Sequence, residues 1–498
     1  MTIYYVKSTG SGAGGLTTAT AFTTISAGCL VAVAGDTINV LAGNYQGGIY
    51  ISTAGYPSGT AANPITLKSS PALAARIVAT ATPPTGGGND AMIDIRENWW
   101  VIDGFEITAE DGYNASNVWQ LGGAGQYRTG IYLGGSNLVV QNCWVHHTCQ
   151  ADPAGGGGAG ITSDGFYVNY ALQNNYVRFN KVHNTASSLT TNKAHGIYFS
   201  GAGAHAQGNL VYNMFGGVLI HGWHGQTGGS YSNNTVFNST LIGLLIGQGD
   251  GGAGTGVANF RGFNNTIQNC ATAISEQGII AASPRCLWSH NHIYNCTTDY
   301  SIHANSTATN RLVGAPLMVN YVQTGGGDYR LSSTSALIGA GIRSLSGVNA
   351  PITDIAGTTR PQNTTYDIGA YEYIATDTTP PVLTSPFAEA TGTLTADARV
   401  TTDDNTGTLY CFVSTNSTEL ASLVRSNGVS QAITLIGPWT FNITGLSIGT
   451  TYYAHFVHVD ANSNESIRVS STSFITDAST PPNTSGMGGM VRKMLRRS

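Results

Sequence analysis

The sequence predicts an all-β chain: a long solenoid of stacked parallel strands, then a small β-sandwich, then a short basic tail. Two recurrent patterns and one abrupt break carry that prediction. The first pattern is an Asn-led strand: QNCWVHH from Gln141, FNKVHN from Phe179, GNLVYN from Gly208, NNTVFN from Asn233, NNTIQN from Asn264 and HNHIYN from His290. Its leading asparagines are Asn142, Asn180, Asn209, Asn234, Asn265 and Asn291. The second is a glycine followed by an alternating strand: GIYLG from Gly130, GFYVN from Gly165, GIYFS from Gly196, GVLIH from Gly217 and GLLIG from Gly243. The break is TDTTPPVLTS at 376–385, a Thr/Pro hinge where both repeats stop.

Each element follows from local chemistry. A helix is expected near residues 20–34, capping the open end of the solenoid, within a cap of about residues 1–35. DTINVLAG, GIYIS, NPITLKS, AMIDI and WWVIDGFEIT, in 36–107, are short strands bounded by Gly, Pro or Asn. Stacked parallel strands lie ~4.8 Å apart, so equivalent residues form ladders. Asparagine at a corner tolerates left-handed backbone and can exchange amide bonds with the Asn above and below. Unequal spacings mean loops inserted between otherwise similar coils. The solenoid is assigned to residues 1–375 and the sandwich to 376–478, where GTLYCFVS, WTFNITGL and TTYYAHFVHVDA alternate with period two. His455 and His458 are expected to belong to the sandwich strands. Residues 479–498 form a linker and a tail in which Met487, Met490, Val491, Met494 and Leu495 repeat with helical period. Arg492, Lys493, Arg496 and Arg497 take its other face. That tail is expected to order only when docked on a partner, with Met490–Arg497 as the contact.

Composition narrows the function. Only 9% of residues are charged, Gly numbers 65, and the formal net charge is −5. Such a chain lacks the basic patches that nucleic acid requires. No run of 18 apolar residues spans a membrane. The start, MTIYYVKSTGSG, has no apolar core behind a basic end, so folding in a cytoplasm is expected. The seven cysteines show no zinc-like pairing, and Cys143, Cys270 and Cys296 each follow an Asn, which suits buried free thiols. No cofactor and no metal site is expected.

YYVKSTGSG, FTTI, GDTINVLAGNY, NPITLKS and VIDGFEI, together with DYRLSSTSALIGAG at 328–341 and TTRPQNTTYDIGAYEY at 358–373, resemble right-handed parallel β-helix proteins of the pectate-lyase-like superfamily. The resemblance covers residues 3–373. It implies a right-handed parallel β-helix followed by a small β-sandwich and a short basic tail. LSIGTTYYAHF and residues 380–476 resemble immunoglobulin/fibronectin III-like modules found in phage virion proteins. The superfamily holds lyases, hydrolases, phage tailspikes and non-catalytic binders, so activity stays open.

Aligned on its glycines, the second pattern places Ile131, Phe166, Ile197, Val218 and Leu244 inward. The residue before each glycine, and those two and four after it, point outward. Asp164 and His195 then become neighbours, beside Tyr167, Tyr198, Ser200 and His221, with Lys193 near and Trp223 and His224 overhanging from a loop. Tyr167, Tyr198, Ser200, His221, Trp223 and His224 suit a glycan. Lys193, His195 and Asp164 are the catalytic candidates of a polysaccharide lyase or glycoside hydrolase. For a hydrolase, Asp164 would need Asp250 or Glu276 as partner, although Glu276 falls at an inward position; Glu106, Glu110 and Asp111, expected in a loop, are a second carboxylate source. The leading expectation is a bacteriophage virion surface protein, a tailspike, fibre or head decoration, that binds host surface polysaccharide. Its C-terminal region would attach it to other virion proteins, and a homotrimer is compatible. The alternatives are a depolymerase and a non-catalytic structural cement protein.

Overall fold

The computed structural model describes residues 1–52, 55–79, 91–108, 129–148, 158–164, 170–171, 174–185, 194–214, 216–249, 256–375 and 377–478. The chain divides into two compact units, Met1–Ile374 and Ala375–Ser498.

The first unit is a parallel β-helix whose strands join one continuous parallel array of 25. Its coils contribute to three sheets. Sheet I climbs from Ile3–Val6 through Trp100–Asp103, Val139–Gln141, Tyr176–Arg178, His205–Gln207, Ser230–Ser232 and Arg261–Phe263 to Thr307–Thr309. Sheet II contains Glu106–Thr108, Trp144–His146, Lys181–His183, Leu210–Met214, the first half of Thr235–Gly247 and His292–Tyr294. Sheet III contains Ala91–Ile95, Thr129–Leu133, Gly158–Ser163, Ala194–Ser200, Val218–Trp223 and the second halves of Thr235–Gly247 and Thr266–Gln277.

Asparagine makes both corners of sheet II. Between sheets I and II, Asn180, Asn209, Asn234, Asn265 and Asn291 are buried and chained. Each of the first four amide nitrogens donates to the next Oδ1 at 2.9–3.1 Å, and all five donate to a carbonyl below, such as Val177 O for Asn209. Between sheets II and III, Asn184, Asn213, Asn238, Asn269 and Asn295 all take left-handed φ of 50–63° and bond to one another in pairs. These second-corner residues are the closing Asn of the same repeat. Asn142 departs from expectation. The ladder position of its coil belongs to Cys143, whose N–H donates to Asn180 Oδ1, while Asn142 makes the left-handed turn and bonds Asp103.

Inside, stacked aliphatics fill the core. Ile131, Ile161, Ile197, Ile220, Leu244 and Ile274 form one fully buried column. The expected capping helix is Ile25–Val31, with Thr24 as N-cap and Ile25 and Cys29 buried against the first coils. After the last coil the chain returns over the helix. Tyr329 packs on Tyr212 and Phe237 of sheet II, and Arg360 is buried against Glu372 at 2.8 Å.

The second unit is a β-sandwich. Leu383–Ala390, Thr395–Thr402 and Gly437–Thr444 form one antiparallel sheet. Val429–Ala432, Thr408–Ser414, Thr451–Val459 and Val469–Ser470 form the other. Val400, Leu409, Phe441 and Phe456 fill the space between. The Tyr452 hydroxyl accepts the Ser447 N–H at 2.9 Å, fixing the preceding turn. His455 and His458 are buried strand residues bonded within the sandwich, to Asn416 O and Thr406 O.

Candidate functional site

Sheet III owes its outer face to glycine. A Cβ on Gly130, Gly160, Gly196 or Gly243 would strike the core, at 2.5–2.8 Å from Val145, Val182, Val211 and Ile267 respectively. The strand therefore bends at each of these glycines, so that glycine and the following aliphatic both face inward. The residue before the glycine stays outside.

Two registers differ from the sequence alignment. The sheet III strand after Thr129–Leu133 is Gly158–Ser163, with Ile161 and not Phe166 in the column, and residues 165–169 lie outside the described residues. Ile220, not Val218, pairs with Ile197, which shifts GVLIH by two residues. Leu219 stands where other coils have glycine, so the pattern's own Gly217 misled the alignment. Two corrections follow. Asp164 is level with Ser200, not His195, and Ser200 Oγ donates to Asp164 Oδ1 at 2.9 Å. Trp223 lies on the strand, level with Ser200, and His221 is level with Tyr198. His224 follows at the strand end with φ of 56°.

The resulting patch is an aromatic and imidazole cluster. The His195 ring lies 5.5 Å from Tyr198 and 4.4 Å from His221, and His221 meets Tyr198 and Trp223 edge-on at 5.1 and 5.3 Å. Tyr170 stacks on His224 at 3.9 Å. Hydrogen bonds assign the tautomers. His195 Nδ1 accepts from Val218 N, so its Nε2–H donates to His221 Nδ1 at 3.1 Å. His221 then carries its proton on Nε2, which is buried and has no acceptor among the described residues. Burial pulls the His195 pKa down to about 3. Burial, then the neighbouring His195 and His224, holds His221 well below its usual range.

Trp223 has a specific seat. On the next coil stands Gly247, and a Cβ there would lie 2.1 Å from the indole Cζ3. The indole thus rests on bare backbone and stays half-buried. Tyr198 and His221 are likewise half-buried, whereas His195 and Ser200 are nearly closed off.

Carboxylates on this face have other partners. Asp94 is paired with Arg96 at 2.9 Å. Glu276 points inward, as its register position requires, and accepts from Trp288 Nε1, His303 N and Ser306 Oγ. Lys193, Tyr167, Asp250, Glu110, Asp111 and the tail Met490, Val491, Arg492, Lys493, Met494, Leu495, Arg496 and Arg497 lie outside the described residues. In the sandwich, Asp377, Asp404 and Asp460 approach one another, but each caps its own turn, on Thr379 N, Thr406 N and Asn462 N.

Sequence reasoning missed a second cluster, on sheet II. Arg76 Nε donates to Glu106 Oε1 at 2.8 Å, and His146 Nε2 lies 3.4 Å from the same oxygen. His146, His183, Tyr212 and Phe237 stack in a column with ring spacings of 4.7–5.2 Å. Trp144 Nε1 donates to His183 Nε2, leaving the His183 proton on Nδ1. Lys181 Nζ sits 4.9 Å from the Trp144 ring and 6.0 Å from Tyr212, and burial lowers its pKa. Only the ladder rule could have found this group, since Glu106, Trp144 and Lys181 are in one register row.

No family model matches the chain, and no curated protein matches it. Solved structures resemble it in architecture. A pectate lyase, Pel9A, is 15% identical over 75% of this chain and 96% of its own, with a TM-score of 0.44. XylC in complex with xylose is 10% identical over 88% and 100%, at 0.39. A tailspike protein of E. coli bacteriophage HK620, in complex with a pentasaccharide, is 12% identical over 85% and 86%, at 0.27. At such scores they say nothing of what this chain binds. With its parallel three-sheet coils, the chain is an all-β protein built on a parallel β-helix.

Proposed function

We propose that sheet III binds a polysaccharide, with Trp223 as its platform and Tyr198 and His221 beside it. The observation that carries this is the seat of Trp223 on Gly247: a half-exposed indole resting on bare backbone suits a sugar ring. Asp164 and Ser200, bonded to each other, supply the polar rim. A chain running along the solenoid axis meets a new coil every ~4.8 Å, so consecutive sugars can use equivalent positions.

The finer form of the proposal is a bacteriophage surface protein binding host polysaccharide. It rests on the sequence resemblance of the sandwich and on the amphipathic tail at 487–498. Deleting 487–498 should abolish incorporation into particles; undiminished incorporation would dismiss the tail as anchor.

Trp223→Ala should weaken binding of cell-surface polysaccharide about 10- to 100-fold, the scale of a lost aromatic contact of ~1.4–2.8 kcal/mol. Equal affinity of variant and parent in calorimetry would overturn the assignment of this face.

One observation favours a second reading, a β-eliminating lyase working on sheet II. Lys181 is a half-buried amine with a lowered pKa, the condition for a general base. It would take the C5 proton of a uronic acid as the C4–O bond breaks, leaving an unsaturated sugar. Ultraviolet absorbance should rise with acidic polysaccharide and fail to rise with Lys181→Ala; no absorbance with the parent protein dismisses this reading.

A further inference from the structure

Six cysteines are free thiols in the described residues, and two of them occupy the same place in consecutive coils. The register between Thr266–Gln277 and the next coil keeps one offset, from Thr266 with His292, through Gln268 with Tyr294, to Thr272 with Thr298 and Ile274 with Tyr300. Cys270 and Cys296 are therefore rung neighbours, with backbones ~4.8 Å apart. Each follows a left-handed asparagine, Asn269 at φ 54° and Asn295 at φ 51°, and these two amides are bonded at 2.5 Å. The sulfurs are oriented alike. Cys270 Sγ contacts Gln268 O at 3.4 Å, Cys296 Sγ contacts Tyr294 O at 3.6 Å, and those carbonyls belong to paired residues.

That arrangement meets the requirement of a disulfide, whose Cα atoms lie ~4.4–6.8 Å apart. It also divides the labour of thiol exchange. Cys270 is buried in the core, while Cys296 lies at its edge and is half-buried. The neighbouring Cys270 thiol holds the Cys296 thiol below its usual range, and burial pushes Cys270 up. Burial pushes the other thiols up as well, Cys143 to about 12 and Cys286 to about 11.

We propose that Cys270 and Cys296 are a reversible redox pair that closes, in the presence of a low-molecular-weight disulfide such as glutathione disulfide, into a clamp between two adjacent coils. Cys296 is the attacking sulfur. Its thiolate forms a bond to one glutathione sulfur as the glutathione S–S bond breaks, and the departing thiolate takes up the proton that Cys296 lost. Cys270 then gives up its proton and attacks the Cys296 sulfur, releasing the second glutathione as a thiol. Two cysteine thiols are oxidised by two electrons, and one glutathione disulfide is reduced to two glutathiones. The bond ties the corner between sheets II and III across the last coils of the solenoid, where no further coil stacks on sheet III above Thr298–Ser301 among the described residues.

The test uses the full chain under native conditions. It is equilibrated with glutathione disulfide, quenched in acid, blocked with N-ethylmaleimide, digested and mapped by mass. The expected product is a Cys270–Cys296 linked peptide pair, two hydrogens lighter and restored by dithiothreitol. In Cys270→Ala, Cys296 should stop at the glutathione adduct, because no second thiol is left to resolve it. Recovery of both thiols free in excess glutathione disulfide would overturn the proposal. So would a stable glutathione adduct on Cys296 in the parent protein, or a link from Cys296 to any other cysteine.

Discussion

Histidine is the residue that this fold treats most unusually. Burial holds His146 and His195 to about 3, His183 to about 2 and His205 to about 4, and keeps His221 low as well. In the unfolded chain each imidazole takes its proton near pH ~6.5. Between that value and its folded pKa, the unfolded state binds more protons, so stability present above pH ~6.5 is lost as pH falls. Each such histidine contributes up to ~1.4 kcal/mol per pH unit to that slope. Urea denaturation at pH 7, 6 and 5 should show a steady loss of stability. His195→Gln, which keeps a neutral polar group, should flatten the slope by about one proton's worth. An unchanged slope would mean that His195 titrates freely in the fold.

Among the elements, the corners carry the most specific chemistry. Asn234 donates to Ala206 O and Asn265 Oδ1 and accepts from both Asn209 nitrogens, all buried. Asn234→Ala should cost about 2–4 kcal/mol in denaturant titration, because several buried partners lose their bonds together. Asn142→Gly should cost less than about 1 kcal/mol, since glycine accepts its φ of 56° and only an exposed bond to Asp103 is lost. Equal costs would deny the ladder its role. Gly196→Ala should destabilise more than a typical overpacking change of ~1–3 kcal/mol, because its Cβ would meet Val211 at 2.5 Å and the Leu219 carbonyl at 2.6 Å. The same corners made the fold legible. Asparagine and glycine recur because a left-handed turn and a bend into the core admit few alternatives. Register was less legible, since Leu219 fills one bend without glycine and Thr162 gives its strand no aromatic signal. The sheet II cluster escaped notice because its residues come from three-residue strands separated by whole coils. Trp223 was found, but its seat on Gly247 needed the shifted register.

At the scale of the molecule, scarcity of charge separates the two functional readings. With 9% of residues charged, a polysaccharide bound as proposed on the aromatic face of sheet III would release few counterions. Its affinity for a neutral polysaccharide should change less than about twofold between 0.05 and 0.5 M salt, even though the Debye length shrinks from ~14 to ~4 Å. Sheet II offers the opposite case. Lys181 has no ion-pair partner among the described residues, so an acidic sugar bound there would be held by a cation open to screening. Binding through Lys181 should weaken several-fold over the same range and become insensitive to salt in Lys181→Gln. A salt-sensitive interaction that survives Lys181→Gln but fails in Trp223→Ala would show that sheet III itself takes an acidic chain. The choice between a neutral and an acidic polysaccharide thus rests on one titration, because so few charges exist to confuse it.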